Sequence, residues 1–406
     1  MADKPLEVDV LIAGGGLVGG TLAVGLVEGG LSVAVVDMQA PVEGLDAGFD
    51  GRAAAIALSS KRVLDGLGLW ETMQPETSPI QEIRVSDADS FFFLHYDRKD
   101  VGAEAFGYMV ENRSIRKALM ARFKELKDFT LLAPNRIINV ERNPGEVRAT
   151  LDDGRNVNAK LIVGSEGRSS PTRDGAGIKL TSWSYKQRAI VCTVAHKLSH
   201  ENVAHEHFLP GGPFAILPLP NNLSSIVWTE RDELVDDIMA MDDGGFLNEL
   251  KHRFGDFLGE LEVVGPRWSY PLSLQYAERA VDHRLVLAGD ASHGMHPIAG
   301  QGLNMGLRDV AVLAEVLTDA RRLGLDPGDG TVLKSYEQRR RFDNTLMLAM
   351  TDMLNRLFSN DVEPVRVVRD LGLAAVNRLP PLKKVFMKHA MGLVGDLPRL
   401  MRGETL

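Results

Sequence analysis

Three glycines near the N-terminus restrict the fold more than any other feature of this chain. Gly14, Gly16 and Gly19 form a G-x-G-x-x-G turn between two apolar runs, Val8 to Ala13 and Thr21 to Val27. The first run reads as a buried strand and the second as the start of a helix. Gly29-Gly30 ends that helix, and Ser32 to Val36 reads as a second strand ending at Asp37, eighteen residues beyond Gly19. Strand, turn, helix and strand make a βαβ unit. The first glycine allows the tight turn, the second lets a pyrophosphate approach the backbone, and the third lets the helix close on the strand. The helix N-terminus favours phosphate charge, and Asp37 is placed to accept hydrogen bonds from an adenosine ribose. The competing reading is a glycine-rich turn that only packs helix on strand. The acid and the flanking elements favour a dinucleotide.

Two further stretches have the same character. Leu161-Ile162-Val163 reads as a buried strand leading into Gly164-Ser165-Glu166-Gly167-Arg168. Arg284 to Ala288 reads as another, followed by Gly289 to Gly306 and then an apolar run, Leu307 to Leu317, at helical spacing. The last loop holds Asp290, Pro297 and the segment Gly300-Gln301-Gly302-Leu303-Asn304. Such a loop suits backbone that passes close to a flat polar ligand before opening a helix toward it.

At 406 residues, two domains or one large composite are expected. The run Val10 to Val36 is weakly charged enough to resemble a membrane span, but its glycines fit a buried βαβ unit better. No basic-then-apolar leader is present at the N-terminus. The single cysteine, Cys192, lies in the apolar run Ile190–Val194; it excludes an intrachain disulfide and reads as a small core residue. A net charge of −9 argues against general nucleic-acid binding. The charge is uneven: Arg378 to Arg402 carries +5, leaving −14 elsewhere.

Between the glycine motifs, Ala53 to Leu58 reads as extended, with Ser59-Ser60 expected to cap a helix from Arg62. Gln81–Val85, Phe91–His95 and Tyr108–Val110 read as strands opening an inserted domain. Glu111 to Ser114 should cap a helix from Ile115; Arg113 there either reaches a phosphate or ribose, or is a surface arginine. Ile190 to Tyr270 alternates as antiparallel strands with one helix, Gly245 to Phe254. From Leu333 the pattern is helical, with Tyr336, Phe342, Leu346, Met350, Met353, Leu354 and Leu357 mostly on one apolar stripe. The fold class is therefore α/β, an α+β composite. It comprises a Rossmann-like nucleotide-binding domain (1–74, 111–178 and 276–345), an inserted antiparallel-sheet substrate domain (75–110 and 179–275) and a C-terminal helical region (346–406).

Three spaced motifs in this order resemble the FAD-dependent aromatic hydroxylases of the p-hydroxybenzoate hydroxylase class. The stretch Gly164–Arg173 is similar to that family's "DG" motif and Gly289–Gly306 to its "GD" motif. Gly51-Arg52 to Trp70, Val110-Glu111-Asn112-Arg113, Phe214 to Pro220 and Leu382 to Phe386 resemble more narrowly the ubiquinone-biosynthesis hydroxylases. The resemblance spans nearly the whole chain. It implies that Gly14, Gly16 and Gly19 hold the FAD pyrophosphate and Asp37 the ribose, with Arg52 and Arg113 on the phosphate or ribose side. It implies further that Asp290 bonds the ribityl chain, Pro297 lines the flavin face, and Gly300, Gln301, Gly302, Leu303 and Asn304 meet the flavin N1/O2 edge. Glu166 and Gly167 fall on the DG motif, where relatives have Asp in place of Glu166; that acid links FAD and NAD(P)H binding indirectly.

The implied activity is hydroxylation of the ring of a polyprenylated phenol by O₂, through a flavin C4a-hydroperoxide, with NAD(P)H as transient reductant. No catalytic side chain is named by the sequence. His293 and His296 form a His-x-x-His pair, but without further ligands they are expected to serve local hydrogen bonds rather than a metal. The basic, apolar tail fits either contact with an anionic membrane, at the inner face of a cytoplasmic location, or packing on the protein's own core. Contact with other ubiquinone-biosynthesis proteins is part of the same expectation. The alternatives are a flavin monooxygenase acting on another aromatic or a terpenoid, and a flavoprotein scaffold of low activity.

Overall fold

Alternating side chains of five strands build the centre of the half that carries the glycine motifs. The computed structural model describes residues 4–40, 51–87, 93–358 and 379–406. Five parallel strands stand in the order Phe129–Leu132, Val33–Val36, Leu6–Ala13, Asn156–Gly164 and Leu285–Leu287. Val10, Ile12, Val33, Val35, Leu161, Val163 and Val286 point to one face, under the helices Leu17–Glu28 and Gln301–Arg322. Leu11, Ala34, Val36, Ile162, Leu285 and Leu287 point to the other, under Val147, Ala149 and Leu151 of an antiparallel meander. Both faces are covered at the centre, so Val10–Ala13, Val33–Val36, Leu161–Val163 and Leu285–Leu287 are apolar without alternation, while the less buried starts of two strands carry Glu7, Asp9, Asn158 and Lys160.

An eight-stranded sheet forms the second layer system. Its order is His293–Gly294, Leu261–Ala277, Leu180–His196, Leu223–Arg231, Gly212–Leu219, Val203–Leu209, Glu82–Asp87 and Phe93–Asp97, antiparallel except where Val203–Leu209 runs with Glu82–Asp87. Ile190, Cys192, Val194, Phe214, Ile216, Ile226 and Trp228 face two helices, Asp232–Ala240 and Asp243–Phe254. Only the second of these helices is expected from the sequence. Burial pushes the Cys192 thiol up to about 12, in keeping with a core residue.

Three expectations need correcting. Tyr108–Val110 does not open the large sheet; Gly107–Glu111 sits between Ala53–Ala57 and Thr77–Ile80 in a separate three-stranded sheet. Only Glu82–Asp87 and Phe93–Asp97 join the large one. Ser59-Ser60 do not cap a helix. The helix runs Leu58–Gly66, and its first amides go instead to the carbonyls of Phe106 and Met391, which removes the need for a side-chain cap. The third concerns Gly330–Phe358, one continuous helix that crosses the expected 345/346 boundary. Its buried stripe is Tyr336, Arg340, Asn344, Leu348, Thr351, Asn355 and Phe358, while Phe342 and Met353 are 73% and 61% exposed. The polar members turn inward because buried partners await them, chiefly Asp309 and Gln187.

Candidate functional site

The three glycine motifs meet at one place. Gly14 has φ +94°, and a β-carbon there would lie 2.6 Å from the Ser165 carbonyl oxygen. A β-carbon on Gly19 would lie 2.0 Å from the Gly14 carbonyl oxygen. Ser165 Oγ donates to the carbonyls of Ala13 (3.0 Å) and Gly14 (2.8 Å), tying the second motif to the first. Val18, in the first helical turn, sits in the hollow left by two glycines of the third motif: β-carbons on Gly289 and Gly306 would lie 3.2 and 2.6 Å from its methyls. Small residues thus draw the N-termini of Leu17–Glu28 and Gln301–Arg322 together.

Two glycines at those termini behave differently from the rest. Apart from the adjoining backbone of its own helix, no protein atom lies within 4 Å of where a β-carbon on Gly16 or Gly302 would stand. The backbone of both helix starts therefore faces open space, where partial positive charge favours an anionic or electron-rich ligand. Gly300 ends the preceding turn in the left-handed region at φ +61°, close against Ala55. Asn304 fixes this turn: its Oδ1 accepts from Ala57 N (2.8 Å), and its Nδ2 donates to the carbonyls of Ala55 (2.8 Å) and Gly300 (3.0 Å). Gln301 is buried and Pro297 half-buried beside it; Leu303 packs against the core below.

The acids differ in how far they are committed. Asp37 accepts from Gly15 N (2.6 Å) and Gln39 N (2.7 Å), which holds the carboxylate at the glycine turn. Glu166 is engaged within its own loop: Oε1 accepts from Thr172 N (3.1 Å) and its hydroxyl, and Oε2 from Ser170 Oγ (2.6 Å). Gly167 beside it adopts φ +82° with open space around it. Asp290 has no hydrogen-bond partner for its carboxyl among the described residues. Burial raises its pKa, and Arg168 opposes the rise. Arg52 lies 5.5 Å over the Trp268 ring, and Arg113 pairs with Glu111; the two border neighbouring ends of paired strands.

A buried polar assembly supports the third motif from behind. Asp309 Oδ2 accepts from Gly289 N (2.9 Å) and meets His293 Nε2 (2.7 Å), and Oδ1 accepts from Arg340 Nε (2.6 Å). Arg340 also reaches Asp343 (2.9 Å) and Asn344 (2.6 Å). Arg340 is absent from the sequence reading, because its position resembles the exposed side of an amphipathic helix. His296 is fully buried with neither ring nitrogen hydrogen-bonded; burial, with Arg168 nearby, takes its pKa down to about 4. Among the described residues no group of three metal-type ligands forms.

A family profile described as "FAD binding domain" matches residues 7–349. Ubiquinone hydroxylase UbiL of Rhodospirillum rubrum is 56% identical over 408 residues, covering 100% of this chain and 94% of that protein. The 3-demethoxyubiquinol 3-hydroxylase of Escherichia coli is 33% identical, covering 97% and 100%. Among solved structures, p-nitrophenol 4-monooxygenase PnpA of Pseudomonas putida superposes with a TM-score of 0.79 at 17% identity, covering 97% of this chain and 100% of that one; it shares the fold.

Proposed function

Because the chain belongs to the FAD-binding hydroxylases of ubiquinone biosynthesis, we propose that it places one oxygen atom of O₂ on the ring of a polyprenylated phenol, using FAD and NAD(P)H. The observation that carries this reading within the structure is the pair of converging helix starts with open backbone at Gly16 and Gly302. FAD, when bound, supplies hydride acceptance and oxygen activation; the protein supplies the seat. Gly14, Gly16 and Gly19 would hold the pyrophosphate, Asp37 the ribose, and Arg52 and Arg113 the phosphate or ribose side. The free carboxyl of Asp290 fits a ribityl hydroxyl. Pro297 would line the ring face, and the amides from Gly300 to Asn304 would stabilise negative charge on the ring edge. Glu166, already bonded within its loop, would act indirectly by holding Gly167 in place. Disrupting the gene in its host and identifying the quinone precursor that accumulates tests the reading; an unchanged ubiquinone pool overturns it.

Asp290→Ala should weaken FAD binding by roughly 10- to 100-fold, the worth of one hydrogen bond to a charged group, about 1.5–3 kcal/mol. The ratio of flavin to protein absorbance after purification, and a FAD titration of the apoprotein, measure it. Unchanged affinity would remove Asp290 from the ribityl contact.

The same reading extends to a membrane surface. Among the described residues no helix is long and apolar enough to cross a membrane. The helix Pro380–Ala390 is anchored by fully buried Met387, and it exposes Leu382, Val385 and Phe386 beside Lys384 and Lys388. An outward apolar row with lysines suits an anionic bilayer holding a prenylated substrate. Removing the tail would not test this, since Met387, Met391, Leu400 and Met401 are core residues. The double variant Val385→Glu, Phe386→Glu should lower co-sedimentation with anionic vesicles by at least about tenfold, from two apolar side chains worth about 1.5 kcal/mol or more each. Equal binding would assign the row to another role.

A further inference from the structure

We propose that Glu206 is the acid–base residue of the substrate site, accepting the proton of the substrate's phenolic hydroxyl. The inference rests on the ring-hydroxylation reading above and adds a residue that no glycine motif contains.

Glu206 lies mid-strand in Val203–Leu209, where its neighbours on the same face, Ala204 and Phe208, are both buried and apolar. Across the sheet it stands opposite Val85 on one side and Ala215 on the other. Continuing along that row come Leu94 beyond Val85, then Val227 and Val191 beyond Ala215. Glu206 is therefore the one charged side chain in a row of six, on the face turned away from the two covering helices. One residue pair nearer the nucleotide half, Ala204 and Leu217 pack into the cluster that contains Ala53 and Ala55. Ala55 is the residue that touches Gly300. One pair further out, Phe208 stacks on Phe358 with ring centroids 4.0 Å apart. On its strand Glu206 thus stands between Ala204, in the cluster beside the turn expected to face the flavin ring, and Phe208 of the aromatic stack, with small Ala204 and Ala215 as neighbours.

Its carboxyl has no hydrogen-bond or ion-pair partner among the described residues. Protein surrounds it on most sides, and the residue is half-buried rather than sealed in the core. Burial alone takes its pKa up to about 7. The titratable neighbours on this face are Tyr96, pushed up by its own burial, and Asp87, opposite Phe208 and already partnered. On the helix that ends at Phe358, Asp352 and Arg356 are engaged with each other and with Trp183 and Tyr185. A buried carboxyl without a partner destabilises a fold, and one poised near neutrality can both take and return a proton.

The step is a proton transfer. The phenol O–H bond breaks, the proton goes to a Glu206 oxygen, and the electron pair stays on the phenol oxygen. Delocalised into the ring, that charge makes the ortho and para carbons more nucleophilic. After the ring carbon has taken the oxygen, that carbon's own hydrogen leaves as a proton, which ends in the water formed from the second oxygen atom of O₂; its bonding pair restores the phenolate, and the proton held by Glu206 returns to the phenolate oxygen.

The test uses FAD-loaded enzyme, NAD(P)H and a short-chain prenylphenol, with Glu206→Gln and Glu206→Asp. Wild type should show an acid limb in kcat/KM with a midpoint near 7. Glu206→Gln should lose that limb and fall about 100-fold, with FAD content and thermal stability retained. Glu206→Asp should restore the limb at reduced rate. Wild-type turnover and an unchanged limb in Glu206→Gln would overturn the role of Glu206 alone. A wild type that neither binds nor hydroxylates any prenylphenol would overturn the substrate reading, and this proposal with it.

Discussion

Asp309→Ala is expected to lose about 3–5 kcal/mol of unfolding free energy, the cost of removing one partner from a buried charge pair. Asp309 is fully buried, and Arg340 and His293 are each only 1% exposed. Burial by itself would push the carboxyl up; the His293 and Arg340 charges and hydrogen bonds outweigh it and hold the pKa at about 2. Without the acid, Arg340 keeps a desolvated charge, and Gly289 N loses its acceptor. The loosened turn carries Asp290, so flavin retention should fall as well. Denaturant unfolding with and without FAD separates the two effects. The pH dependence has a defined sign. A depressed carboxyl pKa stabilises fully above its unfolded value, near 4, and the contribution is lost as pH falls through about 2. Wild type should therefore lose stability across that acid window, and Asp309→Ala should lack this component. A loss below 1 kcal/mol at pH 7 would show that the assembly does not support the turn.

The second large effect separates two glycines three residues apart. A β-carbon on Gly19 would stand 2.0 Å from the Gly14 carbonyl oxygen and 2.4 Å from Ser165 Oγ. Gly19→Ala must therefore push the helix off its strand, at a cost of about 1–3 kcal/mol for overpacking, and should emerge largely without flavin. Gly16 has φ −65°, and beyond the adjoining residues no protein atom lies within 4 Å of a β-carbon there. Gly16→Ala should accordingly keep near-wild-type stability as apoprotein and lose FAD affinity alone. Thermal unfolding of both apoproteins, paired with FAD titration, checks the contrast. Full FAD affinity in Gly16→Ala would mean that the ligand does not approach that backbone.

Local chemistry explains what is readable from the chain. The turn glycines, the acid at Asp37 and the apolar runs are set by spacing within a few residues, and the parallel strands they predict are present. The loop from Gly289 to Gly306 is legible for the same reason: a strand, a turn and a helix follow one another directly. Strand–helix switches in the middle of the chain are harder. Asp232–Ala240 follows a strand without a break, and its acidic surface face hides the buried pair Val235 and Ile238.

The remaining positions depend on partners far along the chain. Ser59 needs no cap because the Met391 carbonyl reaches its amide. Arg340 and Asn355 turn inward to meet Asp309 and Gln187, which no helical period reveals. Glu206 looks like any polar residue of an alternating strand until pairing with Val85 and Ala215 places it in an apolar row. The sequence by itself determined the nucleotide-binding half and the glycine backbone of the site, because steric permission at a glycine is local. Only the tertiary structure decided which polar side chains are buried, paired or left free, because burial and charge compensation are settled by what other elements bring to the same point.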